Sequence, residues 1–488
     1  MTAPATRSGV TIVNTLPTPT GDAAPIANVT ASPELAQSAR STPTLDPLRT
    51  IPERGVLTST YIVRRGDTLS GIAAVTGATV EELMRINHLT NADSVKIGQV
   101  LQILIPIEGH APSIKLIPDS ELVNSPTAAK FDATKFSAAQ PGYLNRYSEP
   151  VDGADMPGPR IVARVAEQFS VHPRLLLALL EYKGGWLSNP APEGDALMYP
   201  LGYNLTDKQS LYLQLSWAAA RLNEGYYGWR LGTRLYVRLN DGGRAYMGNG
   251  INAGTAGVQN YLAAISTRPV WLDVLGGGPR GFMQTYKRLF GDAWKFDLGT
   301  LVPADLKQPA FSLPWPKGQT WLFTGGPHAA WGTGSPWGAL DFTAWSAYGC
   351  NELYEWVTAM AEGVVARSIN GEVVESLDPS GDERAGWSIL YMHIGSPNRV
   401  QVGDKLKVGS RIGHPSCEGG VTNGSHTHLV RKYNGEWLNA SGPIPFNLGG
   451  WVPREGAQEY DGSISNSALR LTRTPCECKE LETNAIAW

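Results

Sequence analysis

Eight histidines occur in the 488 residues, and four of them fall in three short segments of the last third. The segments are Gly325-Gly-Pro-His328, Ser388-Ile-Leu-Tyr-Met-His-Ile394 and Gly424-Ser-His-Thr-His-Leu-Val430. A fifth, His414, follows Gly413 in a loop. Imidazole can bind a metal or carry a proton near neutral pH. On a strand, side chains alternate faces, so His426 and His428 would point the same way, about 7 Å apart along the chain. The same alternation puts Ile389, Tyr391 and His393 on one face of a neighbouring strand. A His-x-His pair alone arises by chance. Asp341 adds weight, because it lies between Leu340 and Phe342. A buried carboxylate needs a partner, since an unpaired charge is costly inside a protein. A metal ion would be such a partner. Two histidines and one aspartate match a catalytic zinc shell with an open position for water. Magnesium and calcium prefer all-oxygen sets, whereas iron(II) uses the same donor types in octahedral geometry, so donor type leaves zinc and iron both open.

Strands must position these residues, and the sequence supplies them. From about residue 310, short β segments alternate with Gly, Pro and Asn: Gly363-Val-Val-Ala-Arg, Val373-Val-Glu-Ser, Ser388-Ile-Leu-Tyr-Met-His and Thr427-His-Leu-Val. Regular short strands with turn signals predict an antiparallel sheet domain. The residues after about 452 read as irregular.

The set GGPH ending at His328, ALDF around Asp341, LYMH ending at His393 and GSHTH ending at His428 resembles the lysostaphin-type zinc peptidases of cell-wall lysis. The resemblance implies that His328, Asp341 and His428 hold one zinc ion per chain. It implies that His393 and His426 are the two non-ligand, catalytic histidines beside the reacting carbonyl. The segment between His328 and Asp341, Ala329 to Leu340, is longer than in the compact form of that family and is similar to its staphylolytic, beta-lytic branch. This insert, with Trp331 and Trp337, is expected to shape one wall of the cleft. No HExxH motif occurs, so a glutamate base of the thermolysin kind is not indicated.

Residues 60–105 have a different pattern. Tyr61-Ile-Val63 reads as a strand, and Arg65-Gly-Asp-Thr68 as a turn into a helix from Leu69 to Val75 that stops at Gly77. Thr79-Val-Glu-Glu82 is a capping box for a second helix, ended by Asn87 and His88, and Ile97 to Ile103 is a closing strand. The stretch YIVRRGDTLSGIA…TVEELMRIN…IGQVLQI resembles a LysM module. The resemblance implies binding to N-acetylglucosamine-containing glycan, with Gly66, Asp67, Thr68, Leu69, Asn91 and Ala92 lining the sugar groove.

Between these regions lies a mostly helical domain. Pro159 suits a first helical position, and Ile161, Val162, Val165, Ala166 and Phe169 form an apolar face at helical spacing. Pro173 opens a second helix, and further helices are expected near 208–224, 255–266 and 280–290. Phe169 to Trp186 is similar to the first helices of lysozyme-like transglycosylases. Where that family carries its catalytic glutamate, this chain has Lys183-Gly184-Gly185. An ammonium cannot supply the proton a glycosidic oxygen needs, and Glu181, two residues earlier, faces elsewhere on a helix. The domain is therefore expected to lack glycosidase activity.

The division that follows is multidomain α+β. It comprises a flexible or extended segment 1–58, a small βααβ LysM module 59–106, a lysozyme-like helical domain 107–305, an antiparallel β-sheet peptidase domain 306–452 and a tail 453–488. The apolar fraction of 42% and the net charge of −3 fit a globular protein without call for nucleic acid. No apolar run is long enough to span a membrane, and the first residues lack the apolar core of a signal peptide. The expected partner is bacterial peptidoglycan, met by a monomer that is extracellular or wall-associated, with any leader absent from this chain. The four cysteines are too few for a disulfide scaffold. Cys350 with Cys417 could bridge, whereas Cys476 and Cys478 are too close for an easy mutual bridge. The leading expectation is a wall-lytic zinc endopeptidase. The alternatives are a non-catalytic wall-binding or regulatory protein with a degenerate peptidase domain, and a glycosidase using Glu181.

Overall fold

The computed structural model describes residues 49–488 apart from positions 50, 53, 77, 352 and 477. The lead-in expected over 1–58 lies mostly outside the described residues, as does the helix stop expected at Gly77. The first unit is a two-stranded antiparallel sheet, β1 (Arg54–Ile62) and β2 (Val100–Glu108), enclosing helices α1 (Leu69–Thr76) and α2 (Val80–Ile86). The order is the one expected. Thr79 caps α2 reciprocally with Glu82, each taking up a backbone N–H that the helix leaves unpaired. The closing strand starts later than read, because Gly98 turns the chain with φ of +82°. Along β2, Leu101, Ile103, Ile105 and Ile107 alternate inward, the first three packing with Val63, Ile72 and Leu83.

The main helices of the middle domain are α3 (Gly158–Phe169), α4 (Pro173–Gly184), α5 (Leu211–Leu231), α6 (Ala253–Ala264) and α7 (Phe282–Phe290). Proline opens α3 and α4, as the sequence predicts, and Gly185 ends α4 in the left-handed conformation. Leu175 to Leu180 have no exposure at all, so α4 is the domain's central helix.

The third unit is built on a nine-stranded sheet. Its strands are β3 (Thr320–His328), β4 (Ala339–Ala344), β5 (Gly363–Ile369), β6 (Glu372–Ser376), β7 (Trp387–Met392), β8 (Lys405–Leu406) and β9 (Thr427–Tyr433). Later in the chain come β10 (Trp451–Glu455), β11 (Gly462–Asn466), β12 (Leu471–Arg473) and β13 (Ala485–Ala487), the last of which also belongs to this sheet. The sheet order is β8-β5-β6-β7-β9-β4-β3-β13, with Glu436–Trp437 pairing onto β9. All its pairings are antiparallel. The residues after 452 are not irregular as expected. Strands β10, β11 and β12 form their own small antiparallel sheet, and β13 extends the large one. These strands are three to five residues long, too short for a clear alternation in the sequence.

Both faces of the large sheet are covered, which is why β4 and β7 are buried throughout. On one face, Val374, Leu390 and Val430 join the core of the helical domain. On the other, Val373, Ile389, Tyr391 and Leu429 pack with Trp315, Phe342 and Met360. Polar groups cross the first interface as well. Buried Arg164 of α3 pairs with Glu372 of β6 and, at 2.5 Å, with Asp152. Ser170 Oγ donates to Gly435 O, and Trp437 N to Tyr227 Oη.

Two disulfides are present. Cys350 bridges Cys417, one of the pairings the sequence allowed. Cys476 bridges Cys478, contrary to expectation. Asn484 Nδ2 donates to the carbonyls of both Cys476 and Cys478.

Candidate metal centre

Sheet register brings three of the predicted residues together. Asp341 on β4 lies directly opposite His428 on β9 and opposite Gly325 on β3. Two irregularities in β3, on either side of Gly325, re-aim the end of that strand so that His328 turns toward the same point. A Cβ on Gly325 would lie 2.4 Å from Asp341 Oδ2, so the glycine makes room for the carboxylate.

The ligand atoms converge closely. His328 Nε2 is 3.0 Å from His428 Nδ1 and 3.4 Å from Asp341 Oδ1, and His428 Nδ1 is 3.3 Å from the same oxygen. The opposite nitrogens fix the tautomers. His328 Nδ1 lies 2.8 Å from Gly326 O, and His428 Nε2 lies 3.2 Å from Ala330 O. A carbonyl only accepts, so those nitrogens carry the protons. His328 Nε2 and His428 Nδ1 then present lone pairs to one another and to a carboxylate. Asp341 Oδ1 is buried without a hydrogen-bond partner. Three unprotonated donors crowded in this way repel unless a cation lies between them. Separations of about 3 Å suit bonds of about 2 Å to one ion, and the carbonyl-anchored imidazoles are the usual support for such ligands. The residues therefore fit zinc. Burial raises the Asp341 carboxyl, but His328, His426 and His428 outweigh it and hold the group below the usual carboxylate range. Burial lowers His328, against the pull of Asp341.

His426 and His393 stand beside this set. His426 Nε2 is 3.8 Å from Asp341 Oδ1, so His426 and His428 do face the same side. His426 Nδ1 is held 2.8 Å from Gly424 O. The rings of His393 and His426 are 4.5 Å apart. His393 reaches the site differently from the expected alternation. The strand ends at Met392, and Tyr391 is buried in the core on the far face. His393 has φ of +65°, a left-handed turn that redirects its side chain away from that core and toward His426. Its Nδ1 is 3.1 Å from Glu418 O. Burial, then His426 and His428, push its pKa down to about 3.

Sequence reasoning missed the supports: the carbonyls of Gly326, Ala330 and Glu418, and Tyr460, stacked on His328. Main-chain groups leave no trace in residue type, and Tyr460 sits in a region read as irregular. The Ala329–Leu340 insert does touch the centre, through Ala330 O. Its outer part lies on the helical domain: Trp331 packs against that core, and a Cβ on Gly334 would meet Ala220 O at 2.4 Å.

The other predicted positions are more scattered. In the LysM unit, Gly66 and Thr68 are exposed, as is Asn91, while Asp67 and Ala92 are half-buried. The Asp67 carboxylate accepts from Tyr61 Oη and Arg64 N. Leu69 is buried. Its side chain is 2% exposed in the LysM core, because an apolar residue opening α1 is drawn inward. It can offer a ligand only its main chain. Glu181 is buried at the end of α4, where it accepts from Leu187 N and Ser188 N and pairs with Arg288 at 2.8 Å.

A sheet whose central strands gather two histidines and an aspartate, with two more histidines alongside, forms a candidate metal site. Comparison with known proteins narrows the class. Residues 61–104 match the LysM domain, and residues 115–305 match the N-terminal domain of LasA. The chain is 28% identical over 166 residues to the beta-lytic metalloendopeptidase of Achromobacter lyticus, across 32% of this chain and 41% of that protein. It is 40% identical over 100 residues to the N-acetylmuramoyl-L-alanine amidase XlyB of Bacillus subtilis (strain 168), across 20% of this chain and 31% of that one. The chain thus spans less than half the length of either relative. Among solved structures it is similar to the M23 metalloprotease pseudoalterin, at 24% identity, 34% of this chain, 95% of that chain and a TM-score of 0.29. In these parts the chain resembles a lysostaphin-type metallopeptidase that carries a LysM module.

Proposed function

We propose that this chain is a zinc endopeptidase that hydrolyses the peptide stems or cross-bridges of bacterial cell wall and is held on glycan by its LysM domain. The observation that carries the reading is the convergence of His328 Nε2, His428 Nδ1 and the unpartnered Asp341 Oδ1, all within 4.8 Å of one another. His328, Asp341 and His428 would hold a zinc ion there, which would supply Lewis-acid polarisation of the scissile carbonyl and lower the pKa of a water it binds to about 7. The chain's own groups do the rest. His393 is held through Nδ1 by Glu418 O and His426 through Nδ1 by Gly424 O, with His426 Nε2 3.8 Å from Asp341 Oδ1. An imidazole in that position can take the proton from the attacking water and then, as imidazolium, hold it beside the tetrahedral oxyanion and pass it to the leaving amine. The reading favours a wall location outside the cell, and the LysM domain concentrates the site on its polymer by effective concentration. The alternative of a degenerate, non-catalytic domain has less support, since none of the five site residues is replaced.

The test is zinc content and cleavage of glycine-rich and stem wall peptides by the wild type and by His428→Ala. The wild type is expected to bind one zinc per chain and to cleave, and the variant to lose both. Stoichiometric zinc with no cleavage of any wall peptide would favour the non-catalytic alternative, and release of muropeptide reducing ends would redirect attention to a glycosidase.

A further inference from the structure

Strands β10 and β11 are joined by a turn that reaches back onto the metal centre. Tyr460 in this turn lies face to face with His328, with ring centroids 4.1 Å apart and planes 19° from parallel. Hydrogen bonds seat the turn along the end of β3. Gly326 N donates to Tyr460 O at 2.9 Å, and Tyr460 N donates to Pro327 O at 3.3 Å. Ala329 N donates to Glu459 Oε1 at 3.1 Å. These bonds bracket His328 in sequence. They include Gly326, whose carbonyl fixes the His328 tautomer. The approach is close: a Cβ on Gly326 would meet Asp461 O at 2.0 Å.

The backbone of Tyr460 is unusual. Its φ is +71°, a conformation that residues with a Cβ adopt rarely and glycine adopts freely. Core burial does not explain the aromatic residue, because Tyr460 is 54% exposed. Strain held at a functional site persists where the surroundings fix it and the site uses it. Here the use available is the ring stack on a metal ligand. Against a half-exposed flat face, the imidazole plane of His328 is fixed by Gly326 O at one edge and by Tyr460 across the ring.

The geometry points to Tyr460, seated by Glu459, as a positioning residue that fixes the His328 imidazole for metal binding. This rests on the metal reading above. The experiment measures zinc affinity of the full chain by chelator competition, together with melting temperature of the metal-free protein, for Tyr460→Phe, Tyr460→Gly and a His328→Ala control. Tyr460→Phe keeps the stack and is expected to bind zinc within about twofold of the wild type. Tyr460→Gly is expected to bind roughly 10-fold more weakly, the scale of losses when a group supporting a ligand is removed. It should nonetheless melt at or above the wild type, because the left-handed backbone suits glycine. Unchanged affinity in Tyr460→Gly, with zinc lost in His328→Ala, would overturn this inference and leave the metal site standing. A parallel fall in melting temperature would assign the ring a general structural role and also overturn it. Wild-type affinity in His328→Ala would overturn the metal reading itself, and this inference with it.

Discussion

Gly325→Ala should damage the metal centre through Asp341 alone. A Cβ at position 325 would lie 2.4 Å from Asp341 Oδ2, 2.9 Å from Cγ and 3.0 Å from Cβ. Contacts under 3.0 Å are essentially never seen, so the carboxylate must move by at least about 0.6 Å. It has little freedom to do so gently, because Leu340 and Phe342 on either side have no exposure and β4 is paired on both edges. Overpacking of this kind costs about 1–3 kcal/mol of stability. Displacing a ligand by a comparable distance should lower zinc affinity and turnover by about 10²-fold. The assay is chelator competition and peptide hydrolysis, alongside denaturant unfolding of the metal-free protein. The double variant Gly325→Ala/Asp341→Ala removes the atoms that clash. Its stability should therefore exceed the sum of the two single effects by most of that 1–3 kcal/mol, a coupling a double-mutant cycle reads directly. Additive effects, or a Gly325→Ala enzyme that binds zinc like the wild type, would refute the reasoning.

Three further outcomes follow from buried groups. Burial pushes Glu375 up to about 7, opposed by its hydrogen bond from Tyr391. With the folded pKa above the ordinary 4.5, its contribution to stability is full below about pH 4.5 and is lost as pH rises through 7. Glu375→Gln should remove up to about 3 kcal/mol of that decline, seen as a flatter melting profile between pH 5 and 9. Arg164→Ala strips the cross-interface partner from buried Glu372, which keeps Arg367, and a same-side partner from Asp152, and should destabilise the protein by about 3 kcal/mol, the low end for a broken buried pair, in denaturant unfolding. The Cys350–Cys417 bridge abuts two supports of the non-ligand histidines. Cys417 precedes Glu418, whose carbonyl holds His393, and the neighbours of Cys350 accept from Ser425, next to His426. Replacing both cysteines by serine should lower turnover, by up to about 10²-fold, while zinc content stays at the wild-type level.

The sequence was most informative where chemistry depends on residue type. Asp341 flanked by apolar residues implied a buried charge in need of a partner, and the histidines at 328 and 428 had the donor type to share it. Capping at Thr79, proline at the starts of two helices and the apolar spacing of 161–169 fixed local structure through interactions within a few residues, so they could be read in line. At Leu69 the core takes the apolar side chain at the start of a helix and leaves the main chain as the part a ligand could meet.

Other features belong to distance rather than residue type. His393 enters the site through a left-handed turn after the strand, where strict alternation would have sent it to the face shared with Tyr391. Asn484 bonds to the carbonyls of both bridged cysteines, Cys476 and Cys478, a contact of backbone groups that residue type does not announce. The pairing of Asp341 with both His428 and Gly325 joins residues up to 87 apart in the chain through sheet register alone. The sequence by itself determined which atoms could bind a metal and which local elements would form. The tertiary structure decided that three of those atoms meet with lone pairs facing inward, that main-chain carbonyls fix their tautomers, and that a turn from the last strands lies against His328. Those outcomes rest on backbone groups and long-range register, which no residue type encodes.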